Sequence, residues 1–218
     1  MVAPACPQKR SLETFPGGRG AVRTASTTEK PLPTSVTRAV STFAERFVAA
    51  ELRAVHKASR MAQPPLLRTL AIALSKLGNG WIYPLLGAAV LAKWGLSGLR
   101  IIAPAALSAI LLHSIYPFMK RWCGRRRPFQ TAPELPSLLA TLDAHSFPSG
   151  HTMTIFGVLT PIVMLWPAAT VSAAAMALGI AWSRVATAHH YPSDVLAGAL
   201  LGIGIGYPTT AWIVHLWG

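Results

Sequence analysis

Five apolar runs dominate the chain beyond residue 80: 80–95, 101–119, 152–166, 169–188 and 194–216. Each reads as a membrane helix. A crossing needs roughly 20 apolar residues to match a hydrocarbon core of about 30 Å. The first and third runs fall short of that, so either their ends extend further or the bilayer thins around them. Trp81, Trp94, Trp122, Trp166, Trp212 and Trp217 stand at or near the ends of the runs. Amphipathic indole rings favour that level of a membrane, where apolar and wet surroundings meet.

Two earlier segments carry a different pattern. In "PPLLRTLAIALSKLG" the polar Arg68, Thr69, Ser75 and Lys76 fall on one helical arc, with Leu and Ile elsewhere. As a helix it reaches only about 22 Å, which predicts a helix lying in the interface plane; a crossing here would be the sixth. Over 36–60, Val36, Val40, Phe43 and Phe47 form one stripe and Arg38, Glu45, Arg46 and Arg53 another. That is the signature of an amphipathic surface helix docked on membrane or partner. The predicted fold is all-α: an integral membrane helical bundle of five to six transmembrane helices with an N-terminal amphipathic helix. It divides into a tail over 1–35, interfacial helices over 36–79 and a transmembrane domain over 80–218. Gly198, Gly202 and Gly206 recur every four residues, which predicts close helix packing rather than chemistry.

Composition sharpens this picture. Charged residues are only 12% of the chain, yet 20 basic against 7 acidic residues give a formal charge of +13. Twelve of the basic residues precede residue 80 and five lie between Lys120 and Arg127. Charge confined to the flanks of apolar runs argues for a bilayer and against nucleic acid as partner. Two cysteines, Cys6 and Cys123, make neither a disulfide framework nor a zinc site. The first 35 residues lack the apolar core of a secretory signal and are rich in Pro, Gly, Arg, Ser and Thr. They read as a disordered basic tail, with an organelle transit peptide as the second option.

Three polar clusters interrupt the apolar pattern: "KRWCGRRRP" (Lys120 to Pro128), "FPSGH" (Phe147 to His151) and "SRVATAHHYPSD" (Ser183 to Asp194). Polar residues inside such a bundle are costly and usually have a task. Antiparallel succession of the helices puts all three on one side of the bilayer. There Lys120, Arg127 and Arg184 supply cations and donors for phosphate oxygens. Ser149, Gly150 and His151 open a helix whose free N–H groups suit an anion, and Gly150 has no side chain to bar an oxyanion. Pro192 disfavours helix at Tyr191 and starts a new one. His190 therefore sits in a break, with Asp194 able to reach back and fix its tautomer. Two histidines and an aspartate beside phosphate-holding groups suffice for phosphoryl transfer without metal or cofactor.

The arrangement Lys120–x6–Arg127–Pro128, Pro148–Ser149–Gly150–His151 and Ser183–Arg184–x5–His190–x3–Asp194 resembles the three ordered motifs of the type 2 phosphatidic acid phosphatase superfamily. That superfamily of lipid phosphate phosphatases also includes the vanadium haloperoxidases. The resemblance covers roughly residues 65–216. It implies that His190 is the nucleophile of a phosphohistidine intermediate, oriented by Asp194. It implies that His151 protonates the departing alkoxide and then activates water. Lys120, Arg127, Ser149, Gly150 and Arg184 are implied to hold the phosphoryl group, and the substrate to be a membrane lipid phosphate.

Other polar residues carry blander expectations. Arg121, Arg125 and Arg126 are read as anchors in anionic headgroups, and His189 as structural. His113 is read as a packing histidine, His145 and Asp143 as an ordinary polar loop, and Ser183 as bonding its own helix. The basic amino-terminal region points to a site on the cytoplasmic face of a bacterial inner membrane. Three rivals share the motifs or the fold: a lipid phosphotransferase, a vanadate-type haloperoxidase, and a non-enzymatic anion channel or lipid-binding protein. The last gives no reason for the His190–Asp194 pair.

Overall fold

Helices account for every regular element among the described residues, 34–141 and 143–217, of the computed structural model. The tail expected over 1–35 lies outside them, Thr34 and Ser35 excepted. In chain order the helices are α1 (Thr34–Met61), α2 (Pro65–Leu77), α3 (Ile82–Trp94), α4 (Leu99–Cys123), the single-turn α5 (Pro128–Thr131), α6 (Gly150–Leu165), α7 (Thr170–Ala186) and α8 (Pro192–Trp217). Short 3-10 turns, Gly95–Gly98 and Pro167–Ala169, join α3 to α4 and α6 to α7. Residues Val40–Gly218 form one compact unit, which carries the site.

Local chemistry sets the boundaries. Pro65 and Pro192 begin their helices, where the missing N–H is one that no turn would satisfy. Helix α4 stops at Gly124, whose left-handed φ of 57° lets its N–H return to the Lys120 carbonyl at 3.1 Å. That turn sends the chain back across the end of the bundle towards Arg127.

Helix α6 is the central element. Its Ile155, Val158, Leu159 and Ile162 pack into one core with Ile101 and Ala105 of α4 and Ala173, Ala177 and Ile180 of α7. Helix α8 lies against α6 backbone to backbone, as the glycine spacing predicts. A Cβ on Gly198 would meet the Ser149 carbonyl oxygen at 2.6 Å, and one on Gly206 would meet that of Gly157 at 2.9 Å.

The outer surface is apolar too. Leu85, Ile110, Phe118, Val171, Leu178, Leu196 and Leu200 all stand exposed. Three stretches are long and apolar enough to cross a membrane: Ile82–Thr131, Pro167–Ala186 and Pro192–Trp217. Helix α6, with 16 residues, is apolar but shorter. The sequence runs 80–95 and 101–119 therefore fall within one stretch, and 152–166 does not qualify alone. Five to six crossings go beyond this count. Trp94 and Trp166 also differ from a free interfacial belt: they pair edge to face at 4.7 Å, with Lys93 4.1 Å above the Trp166 ring.

The two amino-terminal helices touch the bundle. Leu74 of α2 rests on Gly179 of α7, and Ala71 and Ser75 are buried. Along α1 the i, i+4 line through Phe43 and Phe47 continues as Glu51, Val55 and Ser59. The first two are exposed and the last three buried. Val55 packs with Ala132, Leu135, Ala188 and Tyr191.

Candidate active site

The three polar clusters meet at one end of the bundle around a cavity of about 590 Å³. Arg127, Gly150, His151, Arg184 and His190 all line it. His190 reaches it through the end of α7. Ala188 takes a left-handed φ of 57°, the Ala188 N–H returns to the Val185 carbonyl at 3.0 Å, and the His189 N–H to that of Arg184 at 3.1 Å. That is a Schellman closure with alanine at the position glycine usually fills. The His190 N–H also reaches the Arg184 carbonyl at 3.1 Å, so the turn ties the two side chains to one backbone frame.

The His190 ring is almost wholly buried, and its Nε2 stands 3.4 Å from Arg127 Nη1. Burial first, then the charges of Arg184, Arg127 and Lys120, hold its pKa well below the ordinary imidazole range. At neutral pH the ring is therefore uncharged, with a free lone pair. Its Nδ1 lies 3.7 Å from Asp194 Oδ2, beyond a hydrogen bond. That oxygen instead accepts the Tyr191 N–H at 2.8 Å. Asp194 thus stands beside the ring, as the spacing predicts, without bonding it.

Arg127 donates from Nη1 to the His189 carbonyl at 2.9 Å, and Arg184 donates to Ser75 Oγ of α2. The Nε atoms of both guanidiniums are buried with no hydrogen-bond partner among the described residues, as is His190 Nδ1. His151 projects from the first turn of α6, its Nε2 2.6 Å from Asn79 Oδ1. Gly78 makes room for it: a Cβ there would come within 2.7 Å of His151 Cδ2.

Other expected residues sit differently. Lys120 and Ser149 do not line the cavity. Lys120 is buried and donates to Asp143 Oδ1 at 2.7 Å and to the His145 carbonyl. The Ser149 hydroxyl lies 3.0 Å from that of Thr152, while its N–H donates to the Asp194 carbonyl at 3.0 Å. The open face of Gly150 is covered by Tyr116, whose hydroxyl a Cβ would meet at 2.7 Å. His113 is exposed, its Nδ1 2.9 Å from the Ala109 carbonyl, rather than packed inside. His189 is buried and structural, as expected: Nδ1 lies 2.8 Å from the Thr187 carbonyl and Nε2 3.1 Å from that of Leu139. Burial and the Arg184 charge lower its pKa to about 4, so the neutral ring serves only one carbonyl with its single proton.

Three participants escaped the sequence reading. Asp143, taken as loop, accepts from Lys120 and Arg127 at 2.7 Å each and from Tyr116 at 2.8 Å. Burial alone would raise its pKa, but Lys120, Tyr116 and Arg127 outweigh that and hold it at about 2. Tyr116 had a signal, standing one turn before Lys120 on α4. Arg125, taken as a headgroup anchor, turns inward: Nη1 donates to Asp194 Oδ1 at 2.9 Å and Nη2 to Glu51 of α1 at 2.5 Å. Its neighbours Arg121 and Arg126 remain exposed.

A sequence model of the PAP2 superfamily matches residues 98–217. Lipid A 1-phosphatase of Rhizobium johnstonii is 35% identical over 88 residues, 38% of this chain and 36% of that protein. Decaprenylphosphoryl-5-phosphoribose phosphatase of Mycobacterium tuberculosis is 32% identical over 160 residues, 68% of this chain and 81% of that protein. Among solved structures, LpxE of Aquifex aeolicus superposes with a TM-score of 0.65 at 24% identity, over 73% of this chain and 94% of that one. The last likeness is one of fold. The match to the lipid A 1-phosphatase takes in little more than a third of its length.

Proposed function

The chain belongs to the PAP2 superfamily, and from that premise we propose that it is a membrane-embedded phosphatase. It hydrolyses a phosphomonoester, or the outer bond of a diphosphate, on a phospholipid or polyprenyl lipid. One observation carries this reading: a buried His190 faces Arg127 across 3.4 Å on the wall of a cavity that Arg184 also lines.

His190 Nε2 attacks phosphorus, forming a P–N bond as the P–O bond to the lipid breaks. His151 gives its proton to the departing alkoxide. In the second half His151 takes a proton from water, whose oxygen displaces the imidazole and releases phosphate. Asp194 orients His190 and offsets the positive charge its ring gains. Arg127, Arg184 and Lys120 balance charge on the phosphoryl oxygens, with the amide of Gly150 at the start of α6; the Ser149 amide, bonded to the Asp194 carbonyl, holds that helix start in place. Lys120 and Arg127 reach the substrate by exchanging Asp143 for a phosphate oxygen.

An apolar groove supports a lipid substrate. It holds about 290 Å³ between α3, α4 and α6, lined by Leu86, Val90, Ile102, Ala105 and Val158. It shares Gly80, Tyr83, His113 and Thr154 with the polar cavity, so a chain in one and a phosphate in the other fit a single molecule. In the bilayer α3, α4, α6, α7 and α8 make the crossings of the 80–218 domain. The 36–79 helices lie at the interface, and the site faces the cytoplasm of a bacterial inner membrane.

Purified protein, with chelator present, is expected to release phosphate from at least one of phosphatidate, phosphatidylglycerophosphate, a prenyl diphosphate and lipid A. The same assay follows label transferred to added hydroxyl acceptors. Folded protein that releases none, or that transfers every label to an acceptor, would overturn hydrolysis. Asp143→Asn removes the carboxylate that competes for the cations. Inorganic phosphate should then inhibit turnover at about tenfold lower concentration, read as its inhibition constant.

A further inference from the structure

From Glu51 of α1, outside the three motifs, a chain of charges leads into the site. Glu51 is 6% exposed and holds the start of α8 once directly and once through Arg125. Its Oε1 accepts the Ser193 N–H at 2.9 Å, an amide that the first helical turn leaves unpaired. Its Oε2 accepts from Arg125 Nη2 at 2.5 Å. Arg125 spreads over the Tyr191 ring, 3.8 Å from its centroid, and donates to Ser193 Oγ at 2.7 Å and Asp194 Oδ1 at 2.9 Å. Asp194 is wholly buried, and its other oxygen is the one that faces His190.

We propose that Glu51 is a positioning residue: through Arg125 it sets the place and the effective charge of Asp194, and so the strength with which Asp194 supports His190. The inference rests on the phosphohistidine reading above. A single guanidinium stands between two carboxylates. Paired with Asp194 alone, Arg125 would neutralise the charge that the imidazole needs as its ring turns positive on gaining phosphorus. Shared with Glu51, it leaves a net negative charge beside that ring. In the ground state His190 is neutral and draws little on this charge, so the effect falls on the chemical step and not on substrate binding. The same contacts explain why α1, outside the family motifs, is packed on the turn that carries Tyr191.

The test compares Glu51→Gln, nearly equal in volume but uncharged, with Glu51→Asp, which keeps the charge. Glu51→Gln is expected to lower kcat and the single-turnover rate of phosphoenzyme formation about tenfold. KM and the inhibition constant for inorganic phosphate should stay within about twofold, and Glu51→Asp should recover part of the rate. In an Asp194→Asn background Glu51→Gln should cost less than about twofold, because the two act on one charge. Thermal unfolding midpoints check that each variant folds; where Glu51→Gln does not, Arg125→Lys carries the same comparison. An unchanged kcat, a loss confined to KM, or full additivity with Asp194→Asn would overturn the inference. His190→Ala is run beside them. If it is inactive while Glu51→Gln is normal, only this inference falls; if it turns over normally, the phosphohistidine reading falls and takes this one with it.

Discussion

His190→Ala is expected to release no lipid phosphate above background, a loss of at least about 10⁴-fold, and to form no labelled phosphoenzyme. The fold should survive. In the intact protein His190 Nδ1 has no hydrogen-bond partner among the described residues, and Nε2 makes only the long 3.4 Å contact to Arg127. Its backbone N–H, which joins the turn after α7, is untouched by the substitution. The removed ring sits among cations that oppose its protonation, so little electrostatic stabilisation is lost. The unfolding midpoint in detergent should therefore move by a few degrees at most, from lost packing alone. Activity near that of the parent would show that some other group receives the phosphoryl, and would end the proposal.

Gly202→Ala is expected to have the largest effect on stability. A Cβ there would stand 2.5 Å from the Met153 carbonyl oxygen, 2.7 Å from the Gly157 amide nitrogen and 2.8 Å from Phe156 Cβ. None of these is the end of a flexible side chain, so α6 and α8 must part to admit one methyl group. Overpacking of this kind costs about 1–3 kcal/mol, and contacts with backbone that cannot swing aside put this one at the upper end. It also reaches the chemistry, because α6 begins at the Ser149–His151 cluster and the Ser149 amide is bonded to the Asp194 carbonyl of α8 at 3.0 Å. Both the unfolding midpoint and the phosphate-release rate should fall. Gly204→Ala is the control: two residues on, a Cβ meets nothing within 4 Å. That change should be neutral, or stabilising by about 0.5–1 kcal/mol. Equal midpoints for the two variants would sink the backbone-contact account of this interface.

Positioning through Glu51 and competition from Asp143 share a physical theme. Each is a carboxylate that decides how much of a nearby cation is free to act. Arg125 is divided between Asp194 and Glu51, while Lys120 and Arg127 are both engaged by Asp143. In a low-dielectric site such sharing sets the field at the reacting atoms as much as the count of charges does.

Much of this architecture was legible in the residues. Apolar runs of helix length fix the helices, because a backbone in lipid must bond within its own segment. The 198–202–206 glycine period announced a close helix contact, since small residues let backbones approach, and the structure puts α6 on its other side. Polar residues breaking those runs had to converge, and His190, His151, Arg127 and Arg184 line one cavity. Pairings across long loops left no such trace. Nothing in the spacing says that Arg125, rather than Arg121 or Arg126, turns inward to Asp194, or that Glu51, 74 positions before Arg125, meets it there. Nor does it say that Asp143 reaches Lys120 and Arg127, or that Tyr116 covers Gly150. Helical period and turn chemistry act over a few residues and are written in local order. The partner of a buried charge is chosen by whichever distant side chain the packed helices bring within about 3 Å, and only the tertiary structure decides that.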